Sequence, residues 1–368
     1  MLIAIVFSRG YFINEESTDY LVSLLPWSEF IRTHGVLGAF KEEFSNYAPL
    51  YLHIISLGVL FNCKTLYFLK SVDFIFEAVA AIFIFKIIRK KYSFVQAIYA
   101  AGTFLLIPTV VLNGARWAQC DIIYTAMLIV SLYYFLENNF FRTMIFAGLA
   151  YAFKQQAIFV FPFLLLVVMR DRTKIKYLLL LPLPFLLSVL PSIFAGRNVL
   201  QALSVYFNQD REFTNVISIN APTVYNFFTV DEEHFIYYKT AGILLTASLV
   251  LVVLFFAAWR QMDVKANAVR ILLLLAILVP FFLPRMHERY FMIAECFSIL
   301  YVFYYRQHYL LPLLVIVPSL ATYLHYFGTD HFIPLTFCSL LMMTALLVVG
   351  FSLIKESRKK SGAEKITV

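Results

Sequence analysis

Residues 143–169 read TMIFAGLAYAFKQQAIFVFPFLLLVVM. A bilayer core takes about 20 apolar residues of helix. This run is long enough and apolar everywhere except at Lys154-Gln155-Gln156, near its middle. A lysine at that depth must snorkel, pair with a carboxylate or meet an anion. The triplet therefore predicts two short helices, 143–153 and 157–169, meeting at a polar turn. Outward from it, further apolar spans fall at 66–88, 94–112, 122–137, 175–194, 240–259, 271–284, 291–305, 310–327 and 333–354. Residues 1–12 are apolar but reach only about 18 Å as a helix, so they form a short first span or the remainder of a longer one. The stretch 48–61 is short and lies in, or dips into, the interface.

Composition agrees with a membrane chain. The 368 residues are 61% hydrophobic and 14% charged, with mean hydropathy +0.79, whereas soluble domains carry roughly 25% charged residues. A water-soluble fold with so little polar material could not cover its own surface. A cytosolic enzyme, a disordered regulator and a secreted disulfide scaffold are thereby excluded. Cys63, Cys120, Cys296 and Cys338 show no paired spacing, which supports neither a zinc site nor a disulfide framework. The expected fold is all-α: a polytopic membrane helix bundle of about 12 transmembrane helices, with no separate soluble domain. The whole chain, 1–368, reads as a single integral membrane domain.

The formal net charge of +8 is topological. Loops at 86–91, 137–142, 170–176, 260–270, 306 and 355–365 hold 18 of the 30 Lys and Arg but only 5 of the 22 Asp and Glu. By the positive-inside rule these loops face the cytoplasm, as do both termini. Nucleic-acid binding is not expected. Two sizeable loops, 13–47 and 195–239, then face outward, and both read as irregular, polar and aromatic-rich. A solvated tail, 355–368, ends the chain.

The polar clusters fall on the outer side. Asp19 lies at the outer end of the first span; it is either a solvated cap or a general base at the membrane surface. Arg116, Gln119 and Asp121 share one short connection, an ordinary hairpin loop or part of a substrate path. Pro284-Arg285-Met286-His287-Glu288-Arg289-Tyr290-Phe291 is the densest cluster. It is a salt-bridged turn or a phosphate site, since guanidinium forks match phosphate oxygens. Asp73 and Glu77, four apart on one helical face, are expected to point into the protein. No metal-ligand spacing accompanies these clusters, and no glycine-rich phosphate loop occurs.

In order along the chain, the clusters resemble the GT-C superfamily of polytopic glycosyltransferases that use polyprenyl-phosphate sugars. The nearest likeness is to bacterial relatives of the second GPI mannosyltransferase, with a weaker one to the ER dolichyl-phosphate-glucose glucosyltransferases. Thr18-Asp19-Tyr20 is followed by Leu25-Pro26-Trp27, then by Asn46-Tyr47-Ala48-Pro49-Leu50-Tyr51, where the family shows a Tyr-Pro-Pro-like run. Trp117-Ala118-Gln119-Cys120-Asp121 stands where relatives have Trp-Gly-Gln-x-Asp. Lys154-Gln155-Gln156, Ser218-Ile219-Asn220-Ala221 and Pro284 to Tyr290 complete the likeness, the last being similar to a Pro-Lys-Met-His-Glu-Arg-Tyr segment. Ala118 departs from the usual glycine, and Ala48 from a proline.

The resemblance covers 12–305 and implies a catalytic part at 1–305, with C-terminal helices at 306–354. It implies that Asp19 is the catalytic base. His287, Arg289, Arg285 and Lys154 would bind the donor phosphate. Arg116, Gln119, Asp121, Gln155, Tyr290, Tyr47 and Asn220 would position substrate, and Glu288 would orient the arginines. It also implies hexose transfer with inversion, requiring no cofactor and no metal, the lipid-linked donor being a substrate. The partners would be a polyprenyl-phosphate sugar, carried by undecaprenyl phosphate in bacteria, a glycan or glycolipid acceptor, and membrane lipid. The protein would be a multi-pass cell-membrane enzyme working on the extracytoplasmic side. A polymerase or ligase of lipid-linked saccharides and a flippase are the rival readings.

Overall fold

The structure is a computed structural model that describes residues 1–208, 216–231, 233–328 and 333–364, with side chains as far as 358. Parts of the 195–239 loop and the end of the 355–368 tail lie outside the described residues. The described chain is nearly all helix, apart from two strands of two residues each. It gathers into two compact units. The first comprises Met1–Arg89, Ala97–Ala157 and Lys176–Thr214; the second comprises Lys90–Gln96, Ile158–Ile175 and Asn215–Val368.

Each unit is built around a helix that is apolar on every side, a pattern that demands a central position. In the first unit this is Asp121–Leu136, buried without interruption from Asp121 to Leu132. It packs against Phe140–Phe153 and Thr65–Arg89. A tight connection, with Asn138 in the left-handed region (φ 59°) and the Asn139 side chain accepting from the Arg142 N–H, joins it to the next helix. Thr65–Arg89 turns one stripe inward, including Leu69, Asp73, Glu77, Ala80 and Ile84. The expectation that Asp73 and Glu77 face the interior holds, since both are almost fully buried. In the second unit the central helix is Ala268–Phe282, buried through Phe281. It packs against Met292–Tyr305, Leu335–Glu364 and Phe235–Trp259.

Among the described residues, three helices are long and apolar enough to cross a membrane: Arg172–Phe194, Phe235–Trp259 and Leu335–Arg358. Only 22%, 22% and 39% of their apolar windows is buried inside the protein. So much bare apolar surface is stable against lipid and costly against water. Seven further apolar helices run to 10–17 residues.

Several local expectations change. The span 94–112 is not one helix: Phe94–Leu105 and Pro108–Trp117 meet at a break with a 55° bend, where Pro108 removes a backbone donor. The 13–47 loop is not irregular, because it holds Tyr20–Leu24, Leu25–His34 and Val36–Lys41 as helical pieces. The described part of 195–239 carries the short helices Val199–Leu203 and Val205–Asn208. The last helix continues past Ile354 to Glu364, so the tail begins helical. The break at the polar triplet is where the sequence put it. Lys154 is fully extended (φ −158°, ψ 134°) between Phe140–Phe153 and a 3-10 turn at Gln155–Val160.

Candidate functional site

The first cluster lies in the first unit and begins with an irregular turn. Pro108–Val111 runs into a π-helical turn, Leu112–Trp117, a distortion common at functional positions. The turn ends at Ala118, which is left-handed (φ 60°, ψ 36°). The Ala118 N–H reaches back to Gly114 O and the Gln119 N–H to Asn113 O. Alanine accepts this conformation only at a cost, where glycine would pay none. A second π-helical turn, Tyr20–Leu24, follows directly on Asp19. Ser17 ties the two turns together, donating to Trp117 O at 2.7 Å and accepting from the Tyr20 N–H at 3.1 Å.

This pinning sets a three-residue chain. Gln119 Nε2 donates to Asp19 Oδ2 at 2.5 Å, and the Tyr47 hydroxyl donates to Gln119 Oε1 at 2.7 Å. Asp19 and Tyr47 are half-buried and Gln119 is buried. The Tyr47 ring packs beside Trp27 and Tyr51, with centroids 5.1 and 5.4 Å away. Lys154 Nζ lies 5.7 Å above the same ring.

Behind this chain, Lys154 Nζ donates to Asp121 Oδ1 at 2.6 Å, and Asn113 Nδ2 donates to Asp121 Oδ2 at 3.0 Å. Asp121 is wholly buried. Of the three fates open to the mid-span lysine, pairing with a carboxylate is the one realised. Arg116 pairs with Glu15 at 2.8 Å, half-exposed at the rim. Gln155 is half-buried at the start of its 3-10 turn.

Sequence reasoning missed a deeper layer. Arg9 donates to Glu77 Oε2 from Nε and Nη2, at 3.0 and 2.8 Å. Lys70 Nζ donates to the carbonyls of Phe12, Ile13 and Glu15. Together they tie Leu2–Phe12 and the segment leading to Asp19 onto Thr65–Arg89. An arginine and a lysine inside apolar runs were the signal available, because such groups are rarely left without partners.

The second cluster lies in the second unit. Strand β1 (Ser218–Ile219) pairs in parallel with β2 (Met286–His287), Ser218 facing Met286 and Ile219 facing His287. Asn220 bridges to His287, and the Arg285 N–H donates to Ile217 O at 2.7 Å. Asn220 (φ 51°) and Arg285 (φ 63°) are both left-handed. Non-glycine residues held there mark a locally imposed geometry. The buried Glu288 carboxylate is 3.7 Å from Arg289 Nη1 and 3.9 Å from His287 Nδ1. Tyr290 packs edge-on to His287, ring centroids 5.2 Å apart. The Arg285 guanidinium lies 5.2 Å over the Phe235 ring.

The expected residues thus assemble as two groups. Asp19, Tyr47, Gln119, Asp121 and Lys154 form a connected set, with Arg116 at its rim and Gln155 next to Lys154 in the chain. Asn220, Arg285, His287, Glu288, Arg289 and Tyr290 form another. Among the described residues, no three His, Cys, Asp or Glu side chains gather as a metal-holding group. No protein-family profile matches the chain, and no curated protein matches it.

Proposed function

We propose that the protein is an integral-membrane glycosyltransferase, moving a hexose from a polyprenyl-phosphate donor to an extracytoplasmic glycan or glycolipid acceptor. The carrying observation is the Tyr47–Gln119–Asp19 chain: a half-exposed carboxylate oriented by a neutral amide. Gln119 fixes the direction of the Asp19 carboxylate, which suits a general base. In this reading the chain crosses the membrane about 12 times, with basic loops and both termini in the cytoplasm.

Asp19 takes the proton of the acceptor hydroxyl as that oxygen bonds to the anomeric carbon. The bond from that carbon to the phosphate oxygen breaks, its electron pair leaves with the polyprenyl phosphate, and the anomeric centre inverts. Charge grows on the phosphate, for which Arg289 and Arg285 supply cations and His287 a ring N–H donor. One well-placed donor in a poorly hydrated site is worth about 3–4 kcal/mol. Glu288 orients Arg289 and His287. These cations serve in the place of a divalent ion. Lys154 is committed to Asp121, so its part is to hold Asp121 for sugar or acceptor positioning together with Gln119, Arg116 and Gln155. Tyr290 and Asn220 hold the shape of the phosphate segment.

The test is purified protein given a polyprenyl-phosphate hexose and a glycan acceptor. The expected product carries one added hexose. Transfer of a whole oligosaccharide would identify a polymerase or ligase, and movement across vesicles without a new glycosidic bond a flippase. Arg289→Ala is expected to weaken donor binding about 10-fold or more, the loss of a charged hydrogen bond. Unchanged affinity and rate would move the phosphate site elsewhere.

A further inference from the structure

We propose that a basic cluster in the second unit, built by Lys91, Arg270 and Arg306 with His308 beside them, binds the phosphodiester headgroup of an anionic phospholipid. It lies outside every residue given a role in glycosyl transfer. Arg270 is the starting point, at 2% exposure. Its guanidinium donates to Ser352 Oγ at 3.0 Å and to Asn267 Oδ1, and lies 4.0 Å over the Tyr305 ring. All of these partners are neutral. A buried guanidinium held only by neutral groups keeps its full charge and raises the local potential.

The neighbouring cations are arranged in the same way. Lys91 Nζ is 3.9 Å over Tyr304 and 5.8 Å over Tyr305, so it shares the Tyr305 ring with Arg270. Arg306, left-handed at the end of Met292–Tyr305, lies 3.9 Å over Tyr92. The Tyr92 hydroxyl donates to Tyr304 O at 2.9 Å, which closes the set. His308 stands beside Tyr301, ring centroids 6.3 Å apart. Aromatic faces fix cations without neutralising them. Burial first, then the like charge of Arg270, pulls the Lys91 ammonium below the usual lysine value. Burial, then Lys355 and Arg270, does the same to His308, so its imidazole is a polar neighbour of the cations and not one of them. Asp263 and Glu356 are the acidic residues of the surrounding segments 90–96, 260–270, 305–310 and 352–358. Asp263 is engaged by the Ala266 N–H at 3.0 Å.

A free anion would need only the cations. Here the exposed cations run straight into exposed apolar residues. Phe94 and Val95 follow Lys91, and Tyr309 and Leu310 follow Arg306 and His308, all more than half exposed. A phosphate seated on Lys91 and Arg306 places its acyl chains against these side chains. That pairing of charge with grease favours a lipid over inorganic phosphate.

The experiment uses the full chain in a neutral maltoside, titrated with phosphatidylglycerol, with phosphatidylcholine of the same acyl chains, and with inorganic phosphate. Native mass spectrometry and melting temperature are the readouts. Phosphatidylglycerol is expected to stay bound and raise the melting temperature, and the other two to do neither. Lys91→Gln combined with Arg306→Gln removes two exposed cations and is expected to weaken phosphatidylglycerol binding about 30-fold. Equal binding of phosphatidylcholine, or an unaffected double variant, would overturn the site. Inorganic phosphate stabilising as well as phosphatidylglycerol would overturn the lipid assignment.

Discussion

In the first unit the candidate residues are linked by a chain of side-chain hydrogen bonds; in the second, strand pairing and left-handed turns join the side-chain contacts in holding the candidate segment. Asp19, Gln119 and Tyr47 form a hydrogen-bonded chain, and Asp121 is clamped between Lys154 and Asn113. Pro284 to Tyr290 adds a backbone element to its side-chain contacts: Met286 and His287 pair with Ser218 and Ile219, and Arg285 makes a left-handed turn. The two designs distribute risk differently. In a low-dielectric interior, a side-chain network is strong when complete and costly when one member is lost. A segment with backbone pairing keeps that part of its support when one side chain changes.

The sharpest way to break the comparison is Lys154→Ala. It removes the ammonium while the Asp121 carboxylate stays wholly buried, at an expected cost of about 3–5 kcal/mol in denaturation by detergent titration. Replacing both partners by apolar residues of similar size, Lys154→Met with Asp121→Leu, is expected to recover most of that loss. A single-variant cost below about 1 kcal/mol would mean that the pair does not hold the unit together.

The second unit is expected to fail through its scaffold. A Cβ added at Gly242 would lie 1.8 Å from the Tyr225 hydroxyl, which donates to Phe282 O just ahead of Pro284. Gly242→Ala is therefore expected to cost about 1–3 kcal/mol, the usual penalty for overfilling a packed site. The same assay reads it, and an unchanged midpoint would show that Tyr225 moves aside freely. The smallest effect sharpens the comparison from the other direction. Ala118→Gly relieves the left-handed turn and is expected to gain up to about 1 kcal/mol, with the Gln119–Asp19 contact kept. A loss of stability there would mean that the alanine methyl packs better than the strain costs.

What could be read in the sequence was local. The break at Lys154, the inward face of Asp73 and Glu77, and the long apolar helices all follow from the cost of polar groups among apolar neighbours. What could not be read depended on contacts between residues far apart in the chain. Arg9 and Glu77 are separated by 68 positions, and no periodicity in either helix announces that they meet. The helical pieces within 13–47 were hidden because their polar residues read as loop, although tertiary contacts hold them in helix. The two-residue pairing of Ser218–Ile219 with Met286–His287 is far too short to leave an alternating pattern. The candidate residues themselves were visible as unusual polar clusters. Their grouping into a hydrogen-bonded chain and a strand-paired segment was not.

The reading rests most heavily on Asp19. The direct measurement is single-turnover hexose transfer from a polyprenyl-phosphate donor by wild type and by Asp19→Asn, with donor affinity measured in parallel. The account predicts a rate about 10²–10⁴-fold lower, with donor binding essentially unchanged. An Asp19→Asn protein that transfers hexose at the wild-type rate would contradict it.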